Sequence, residues 1–84
     1  MNIFISNLSF QAMDQDVRTL FSAFGEVKSA RVITDNYTRR SRGFAFVEMA
    51  EANAAVQAIE RLNNTSFMHK TITVREATSN KNKG

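Results

Sequence analysis

The residues with the clearest chemical potential lie in one stretch, residues 42–49, which reads RGFAFVEM. In an extended strand, successive side chains point to opposite faces. Small or aliphatic side chains then share one face, and on the other lie Arg42, Phe44, Phe46 and Glu48. Two rings beside a cation and a carboxylate suit neither a buried core nor bare solvent. They do suit a surface that stacks bases and neutralises phosphates.

The remaining residues do not form a recognisable catalytic site. The chain contains no cysteine, so disulfides, thiolate metal sites and cysteine nucleophiles are excluded. His69 is the only histidine, and neither a carboxylate pair nor a nucleophile with its base is readable. An acylphosphatase-like hydrolase needs a phosphate-cradling loop with an arginine, whereas residues 7–13 contain neither Gly nor Arg. We therefore expect no enzyme, no cofactor and no metal.

Three further strands are predicted to hold residues 42–49 in place. In residues 3–6, 27–34 and 70–76, aliphatic side chains alternate with polar or aromatic ones, which is the period of a half-buried strand. The aliphatic positions are expected to face a core. The opposite positions of the four strands are Phe4, Arg31, Ile33, Arg42, Phe44, Phe46, Glu48, Thr71, Thr73 and Arg75.

Two other stretches have the period of amphipathic helices. In residues 14–24 the apolar stripe comprises Val17, Leu20, Phe21 and Phe24. Asp14 is predicted as the N-cap of this helix, and Gly25 as its left-handed C-terminal stop. In residues 51–63 the predicted stripe comprises Ala52, Ala55, Val56, Ile59 and Leu62.

The predicted order of elements is β-α-β-β-α-β. Because both helices must bury their apolar stripes on the sheet, this order predicts an α+β fold, a ferredoxin-like two-layer sandwich. Its four-stranded antiparallel sheet carries the two helices on one face. Residues 1–78 form the single domain, and residues 79–84 are expected to be a polar, disordered tail. In this arrangement Phe4, Phe44 and Phe46 should cluster on the open face.

Two motifs carry a resemblance to a known family. Residues 42–49 resemble the first ribonucleoprotein motif of the RNA recognition motif (RRM) family, K/R-G-F/Y-G/A-F-V-x-F/Y, at six of seven constrained positions. Met49, on the packing face, stands where the motif has Phe or Tyr. Residues 3–8, IFISNL, resemble the second motif, with Ser6 in place of the usual Gly. The resemblance covers residues 2–77, and the chain is most similar to the small single-domain bacterial RRM RNA-binding proteins.

This resemblance implies that the protein binds single-stranded RNA. The family carries its stacking rings at the positions of Phe4, Phe44 and Phe46, and a phosphate-binding cation at the position of Arg42. The further candidates for RNA contact are Arg31, Arg75, Arg40 and Thr73, followed by Arg39, Lys28, Thr71 and Glu48. We expect a monomer that acts in post-transcriptional RNA regulation and binds single-stranded DNA more weakly.

The loops are predicted less firmly than the strands. Between the second and third strands the family often has Gly where this chain has Arg39, which predicts a more basic loop. Within this loop Asn36 is the residue expected to adopt positive φ. A His-Lys pair at residues 69–70 replaces a common Gly-Arg pair. After the first strand, we expect Leu8 and Phe10 to fold over the edge of the core.

Charge and composition agree with an intracellular nucleic-acid-binding module. The net charge is +3, and five of the basic residues fall within residues 28–42. The absence of Cys, of a signal region and of a membrane-length apolar run predicts a cytoplasmic protein without membrane contact. One alternative of a different class stays open, in which an RRM-like fold binds protein instead of RNA. Such variants typically lose the rings or cover them with an added helix.

Overall fold

The computed structural model describes residues 1–77, so the expected tail, residues 79–84, lies outside the described part of the chain. Five strands and two helices follow one another. The strands are β1 (Asn2–Ser6), β2 (Val27–Thr34), β3 (Ser41–Met49), β4 (Thr65–Phe67) and β5 (Lys70–Glu76). The helices are α1 (Asp14–Ser22), between β1 and β2, and α2 (Ala52–Leu62), between β3 and β4.

The strands form one antiparallel sheet in the order β2-β3-β1-β5-β4. α1 packs mainly against β2, and α2 mainly against β5. The predicted class, an α+β fold with two helices on an antiparallel sheet, is confirmed, and β1 and β3 are central neighbours as expected. The predicted number of four strands is wrong, because the sheet has five.

The additional strand, β4, forms just after the second helix, in a segment where we predicted no strand. β4 pairs with the start of β5, and the register aligns Phe67 with Lys70. Met68 and His69, between these two residues, have φ of 52° and 72°. Two consecutive left-handed residues make the tight hairpin turn that usually contains Asn-Gly. Since β4 is short and its turn lacks these residues, sequence patterns give no sign of it.

The core lies between the sheet and the helices, and its buried apolar side chains come from both helices and from every strand except β4. In β1, Ile3 and Ile5 are buried, whereas Phe4 between them is half-buried on the other face. Met49 is 1% exposed, so it packs in the core as its place in the alternation predicts. The two-residue period therefore holds across the central strands.

The buried stripe of α2 is rotated relative to the prediction. Ala55 and Ala58 are fully buried, whereas Ala52 is exposed and Val56 is 41% exposed. Alanine presents little side-chain bulk, so the helix can lie close to the sheet along the Ala55 side. Apolar periodicity alone does not distinguish Val56 from Ala58, because each lies on one flank of Ala55.

Gly25 is required by close packing and not by a turn. α1 ends at Ser22, and its C-cap, Ala23, has a right-handed backbone with φ of −64°. Gly25 itself does not have positive φ, so the predicted left-handed stop is wrong. A Cβ atom on Gly25 would lie 2.7 Å from the Cβ atom of Ala54 in α2. The absence of a side chain at Gly25 therefore lets the chain after α1 approach α2.

Side chains at the start of α1 cover the outer edge of the sheet. Asp14 is not the predicted N-cap, a position that Met13 takes. Instead Oδ1 of Asp14 accepts a hydrogen bond from the backbone N–H of Val32 at 2.7 Å. Nη1 of Arg18 donates to the carbonyl oxygen of Val27 at 3.0 Å. Both backbone groups belong to the edge strand β2, so α1 satisfies groups that would otherwise be open to another chain.

Within residues 1–77, no helix is long and apolar enough to cross a membrane. The same part of the chain contains no group of three His, Cys, Asp or Glu side chains placed to hold a metal ion.

Candidate nucleic-acid interface

A row of four side chains crosses the open face of the sheet from β2 to β5. The register pairs Arg31 with Phe46, Phe46 with Phe4, and Phe4 with Arg75. Residues paired directly across neighbouring strands point to the same face, with strands about 4.8 Å apart. Two rings therefore lie at the centre of this row, with one arginine at either end.

Phe44 extends the two rings of the row into a cluster of three. The ring centroids of Phe4 and Phe44 lie 5.7 Å apart at an interplanar angle of 26°, and those of Phe4 and Phe46 lie 5.2 Å apart at 50°. Both separations fall in the range of favourable aromatic contact, about 4.5–7 Å. Phe44 is 38% exposed and Phe46 is 44% exposed. The predicted ring cluster is therefore present, and it leaves ring surface open.

A hollow of about 310 Å³ opens beside the rings where β1 and β5 meet. Its lining residues are Phe4, Phe46, Arg75, Glu76 and Ala77. The guanidinium carbon of Arg75 lies 5.3 Å from the centre of the Phe4 ring, in a cation–π contact. Guanidinium groups and aromatic rings both stack on flat π-systems. The hollow therefore offers two kinds of stacking surface to one planar ligand.

Polar side chains continue the open face on both sides of this row. Ser6 pairs with Phe44 on one neighbouring strand and with Thr73 on the other, which places hydroxyl groups beside the third ring. Toward the opposite end of the sheet, Asn2 pairs with Glu48. Hydroxyl, amide and carboxylate groups can exchange hydrogen bonds with the edges of bases.

The loop between β2 and β3 is built around the carboxylate of Asp35. This carboxylate accepts hydrogen bonds from the backbone N–H groups of Thr38 at 3.1 Å and Tyr37 at 2.8 Å. These bonds, with a smaller contribution from the charge of Arg42, hold the pKa of Asp35 below its ordinary value. The carboxylate of Asp35 thus bonds two successive backbone N–H groups of the loop.

Arg39 lies where this loop turns back toward β3. Its φ is 63°, a left-handed conformation that glycine adopts without strain. Its backbone N–H donates to the carbonyl oxygen of Asp35 at 2.8 Å. Asn36, the residue predicted to have positive φ, does not have it, so that prediction is wrong. Arg39 and Arg40 are both exposed, and the loop is basic as predicted.

Phe10 is a candidate functional residue that the sequence analysis placed wrongly. Leu8 is buried as expected, but Phe10 is 70% exposed and does not fold over the core. The backbone N–H of Leu8 donates to the carbonyl oxygen of Gly43 at 3.0 Å, which ties this loop to the start of β3. A Cβ atom on Gly43, whose φ is 82°, would lie 3.2 Å from Cε1 of Phe10. The polar neighbours of Phe10 in the sequence are the only signal of its exposure.

The structure brings most of the predicted site residues onto one surface. On the open face lie Phe4, Phe44, Phe46, Arg31, Arg75 and Thr73. Arg42 is exposed at the start of β3, beside this face. Arg40 lies off the sheet in the β2–β3 loop, and Lys28 lies near the opposite end of β2. The last two residues are therefore separated from the ring cluster, in opposite directions.

The chain belongs to the RNA recognition motif family, whose model matches residues 3–73. The matched range includes both ribonucleoprotein motifs and, apart from Asn2 and the last part of β5, all five strands. The resemblance read from the two motifs is therefore confirmed.

Among its relatives, the chain is similar to RbpD of Nostoc sp., whose name describes a candidate RNA-binding protein. The two are 40% identical over 77 residues, which are 92% of this chain and 82% of RbpD. The predicted likeness to small bacterial members of the family is thus confirmed. The chain spans about half the length of the plant glycine-rich RNA-binding relatives that it matches.

Two solved structures that share this fold are also similar to the chain in sequence. The crystal structure of RNA binding protein PG1 is 44% identical with a TM-score of 0.92, and covers 98% of this chain and 99% of that one. A complex of the Sxl-lethal protein with RNA is 31% identical with a TM-score of 0.86, and covers 90% of this chain and 47% of that one.

Proposed function

We propose that the open face of the sheet binds single-stranded RNA. The observation that carries this proposal is the row Arg31–Phe46–Phe4–Arg75, with rings at the centre and an arginine at either end. Unpaired bases present flat faces that stack on such rings, whereas paired bases are already stacked in their duplex. On this one surface, the rings can stack the bases of a single-stranded RNA and the cations can neutralise its phosphates.

The three rings have different parts in this mechanism. Phe44 and Phe46 offer exposed ring surface, and a base stacked on a ring gains about 1–3 kcal/mol. Phe4 contacts both other rings and forms a wall of the hollow beside Arg75. A base that enters this hollow stacks on ring surface and on the guanidinium group.

The cations and hydroxyl groups complete the site. Arg31, Arg42 and Arg75 neutralise phosphates beside the rings. Arg40 neutralises a phosphate where the RNA leaves the sheet. Thr73, which pairs with Ser6 across β1 and β5, bonds to base edges and contributes to sequence choice. A few stacks, less the cost of ordering the strand, give a dissociation constant on the order of micromolar.

The comparisons support RNA as the ligand. PG1 is an RNA-binding protein by its title, and the Sxl-lethal structure is a complex with RNA. We infer that this chain is a monomeric, non-catalytic module that acts in post-transcriptional RNA regulation in the cytoplasm. Single-stranded DNA, which lacks the 2′-hydroxyl group, binds more weakly.

The test is a selection of randomised short RNAs, followed by titration of the selected octanucleotide against the double variant Phe44→Ala with Phe46→Ala. The variant should bind about tenfold more weakly or worse, because two stacking surfaces are lost. Its circular dichroism spectrum should match that of the parent, since both rings lie outside the core. Val56→Ala, which shortens an exposed side chain on α2, is the matched control and should bind as the parent does.

Unchanged affinity in the double variant would exclude stacking on these rings. If no RNA is enriched in the selection, the alternative of a protein-binding RRM-like module gains support. The salt dependence of binding also distinguishes RNA binding from protein binding, because phosphate contacts make RNA affinity fall steeply as the salt concentration rises.

A further inference from the structure

Glu48 is the only acidic residue in β3, and it lies beside the ring cluster. It follows Phe46 by two residues, so both side chains point to the open face, about 6.8 Å apart along the strand. Asn2 of β1 and Ser29 of β2 are paired with Glu48 on either side. All four residues, with Arg31, are among those that line a hollow of about 390 Å³. The hollow therefore places a carboxylate next to an exposed ring.

The carboxylate of Glu48 is available to a ligand. Elsewhere in residues 1–77, the carboxylates of Asp14, Asp16 and Asp35 accept hydrogen bonds from backbone N–H groups. Glu48 accepts none of the side-chain hydrogen bonds formed within these residues, and it is half-buried at the hollow. An ionised carboxylate has two acceptor oxygens and no donor. It therefore favours a ligand edge that offers N–H groups and disfavours one that offers oxygen atoms.

The four RNA bases differ in what they offer to such a carboxylate. On its Watson–Crick edge, guanine has two neighbouring donors, N1–H and N2–H₂, which match the two carboxylate oxygens. Adenine and cytosine have one amino group beside an acceptor nitrogen, and uracil has one N–H group between two carbonyl oxygens. Guanine is thus the one base that forms a bidentate pair without placing an acceptor against the carboxylate.

Charge also decides which part of a nucleotide faces Glu48. Arg31, which pairs with Phe46, attracts a phosphate, whereas the negative charge of Glu48 repels one. A nucleotide whose base stacks on Phe46 is therefore more stable with the edge of its base toward Glu48 and its phosphate toward Arg31.

We propose that Glu48 selects guanine for the nucleotide that stacks on Phe46. This specificity rests on the proposed function, because it needs a base stacked on the ring. Oε1 and Oε2 of Glu48 accept hydrogen bonds from N1–H and N2–H₂ of guanine. Uracil at the same place brings a carbonyl oxygen toward a negative charge and is rejected.

The test begins with the selection of randomised RNAs on the parent protein, which should enrich guanine in at least one position. Each enriched guanine is replaced in turn by A, C or U, and the octanucleotides are titrated against the parent and Glu48→Gln. At one position, the variant should bind the G octanucleotide about tenfold more weakly, because the bidentate pair is lost. It should bind the U octanucleotide at least as well as the parent does, because a like charge is removed.

A purely structural role of Glu48 would instead weaken all four octanucleotides alike, and that result would overturn the proposal. Selected RNAs without an enriched guanine would also overturn it. The circular dichroism spectrum of Glu48→Gln should match that of the parent, since the side chain lies outside the core.

Glu51→Gln is the matched control. Glu51 is exposed just after β3, and its side chain makes no capping hydrogen bond to α2. The substitution removes the same charge near the same end of the sheet, but Glu51 does not line the hollow. This variant should keep the preference of the parent for guanine. Loss of the preference in both variants would show that net charge decides it, and would overturn the role of Glu48.

Inosine tests the contact without any change to the protein. It keeps N1–H of guanine but lacks the amino group at C2, so one of the two hydrogen bonds is lost. Inosine at the Glu48-dependent position should weaken binding to the parent about fivefold or more, and binding to Glu48→Gln much less. Equal affinity of the parent for guanine and inosine at every enriched position would overturn the proposal, even if Glu48→Gln does not fold.

These failures differ from failure of the proposed function. If stacking holds and the guanine contact does not, the double variant at Phe44 and Phe46 still binds more weakly than the parent. If the proposed function fails, that double variant binds as well as the parent.

Discussion

Arg39 combines a strained backbone with an exposed cation. Its φ of 63° places it in the left-handed region, where a residue with a Cβ atom is less stable than glycine by about 1–2 kcal/mol. Its side chain lines a surface groove together with Phe10 and Arg40, and adds positive charge there. The chain thus retains, at a turn where glycine would be more stable, a residue that can neutralise a phosphate.

Replacement of Arg39 by glycine should change stability and binding in opposite directions. Arg39→Gly should raise the free energy of unfolding by about 0.5–1 kcal/mol, because relief of strain exceeds the added freedom of the unfolded chain. It should also weaken octanucleotide binding and lower its salt slope by about 0.7. Urea unfolding and titrations at several salt concentrations measure the two effects.

Arg40→Gly is the control for this prediction. It removes the same charge from the same loop, but Arg40 does not have positive φ. Its free energy of unfolding should therefore fall slightly, because glycine only adds freedom to the unfolded chain. Equal stability changes in the two glycine variants would contradict the role of strain at Arg39.

The residues of the open face could be predicted from the sequence because one rule, alternation along a strand, decides their direction. Phe4, Phe44 and Phe46 follow that rule and lie where it places them. Phe10 and Arg39 could not be predicted, since they lie in loops whose backbone depends on distant partners. The hydrogen bond from Leu8 to Gly43, 35 residues away, ties the loop that contains Phe10 to β3 and has no local signal in the sequence.

At the scale of elements, the β4–β5 hairpin is the clearest departure from the predicted fold. Its turn residues, Met68 and His69, have positive φ, which is strained for Met and less so for His. The hairpin forms because β4 completes the edge of the sheet beside β5, so tertiary pairing overrides local preference. The difference between the predicted and the observed buried stripe of α2 has a similar origin, because close packing on the sheet buries the small side chains of Ala55 and Ala58.

The turn can be tested by giving it the residues that this geometry prefers. Met68→Asn with His69→Gly should raise the free energy of unfolding by about 1–2 kcal/mol, because Asn-Gly adopts left-handed φ readily. Thermal or urea unfolding measures the change. RNA binding should stay as in the parent, because the hairpin turn lies outside the ring cluster.

Ser66→Gly provides the comparison within the same hairpin. Ser66 lies in β4 with an ordinary extended backbone, where glycine lowers stability by about 0.5–1 kcal/mol. If both the turn variant and Ser66→Gly lower stability, the left-handed turn is not a source of strain.

At the scale of the whole molecule, charge is divided between the two ends of the sheet. At the end where β3 begins lie Arg39, Arg40, Arg42 and Lys70, opposed by Asp35. At the other end lie Glu26, Glu48, Glu51 and Glu76, with Lys28 among them. Such a division attracts an anionic strand toward one end and repels it from the other. The net charge alone, +3, conceals this arrangement.

Salt should therefore affect RNA binding strongly for so small a net charge. With about four phosphates neutralised on a single strand, the slope of log affinity against log salt should be about −3. Affinity for the octanucleotide should then fall about fiftyfold between about 50 and 200 mM salt. Fluorescence anisotropy at several salt concentrations measures the slope. A slope near zero would show that phosphates contribute little, and would leave stacking as the sole source of affinity.

The contacts from Asp14 and Arg18 to the edge strand β2 have a consequence for concentrated solutions. Polymerisation of sheets into fibrils begins when an edge strand accepts a strand from another molecule. Here the N–H of Val32 and the carbonyl of Val27 are already bonded to α1, so an incoming strand must first displace two side chains. The β2 edge is therefore guarded at these two groups, while the aromatic face of the sheet stays uncovered.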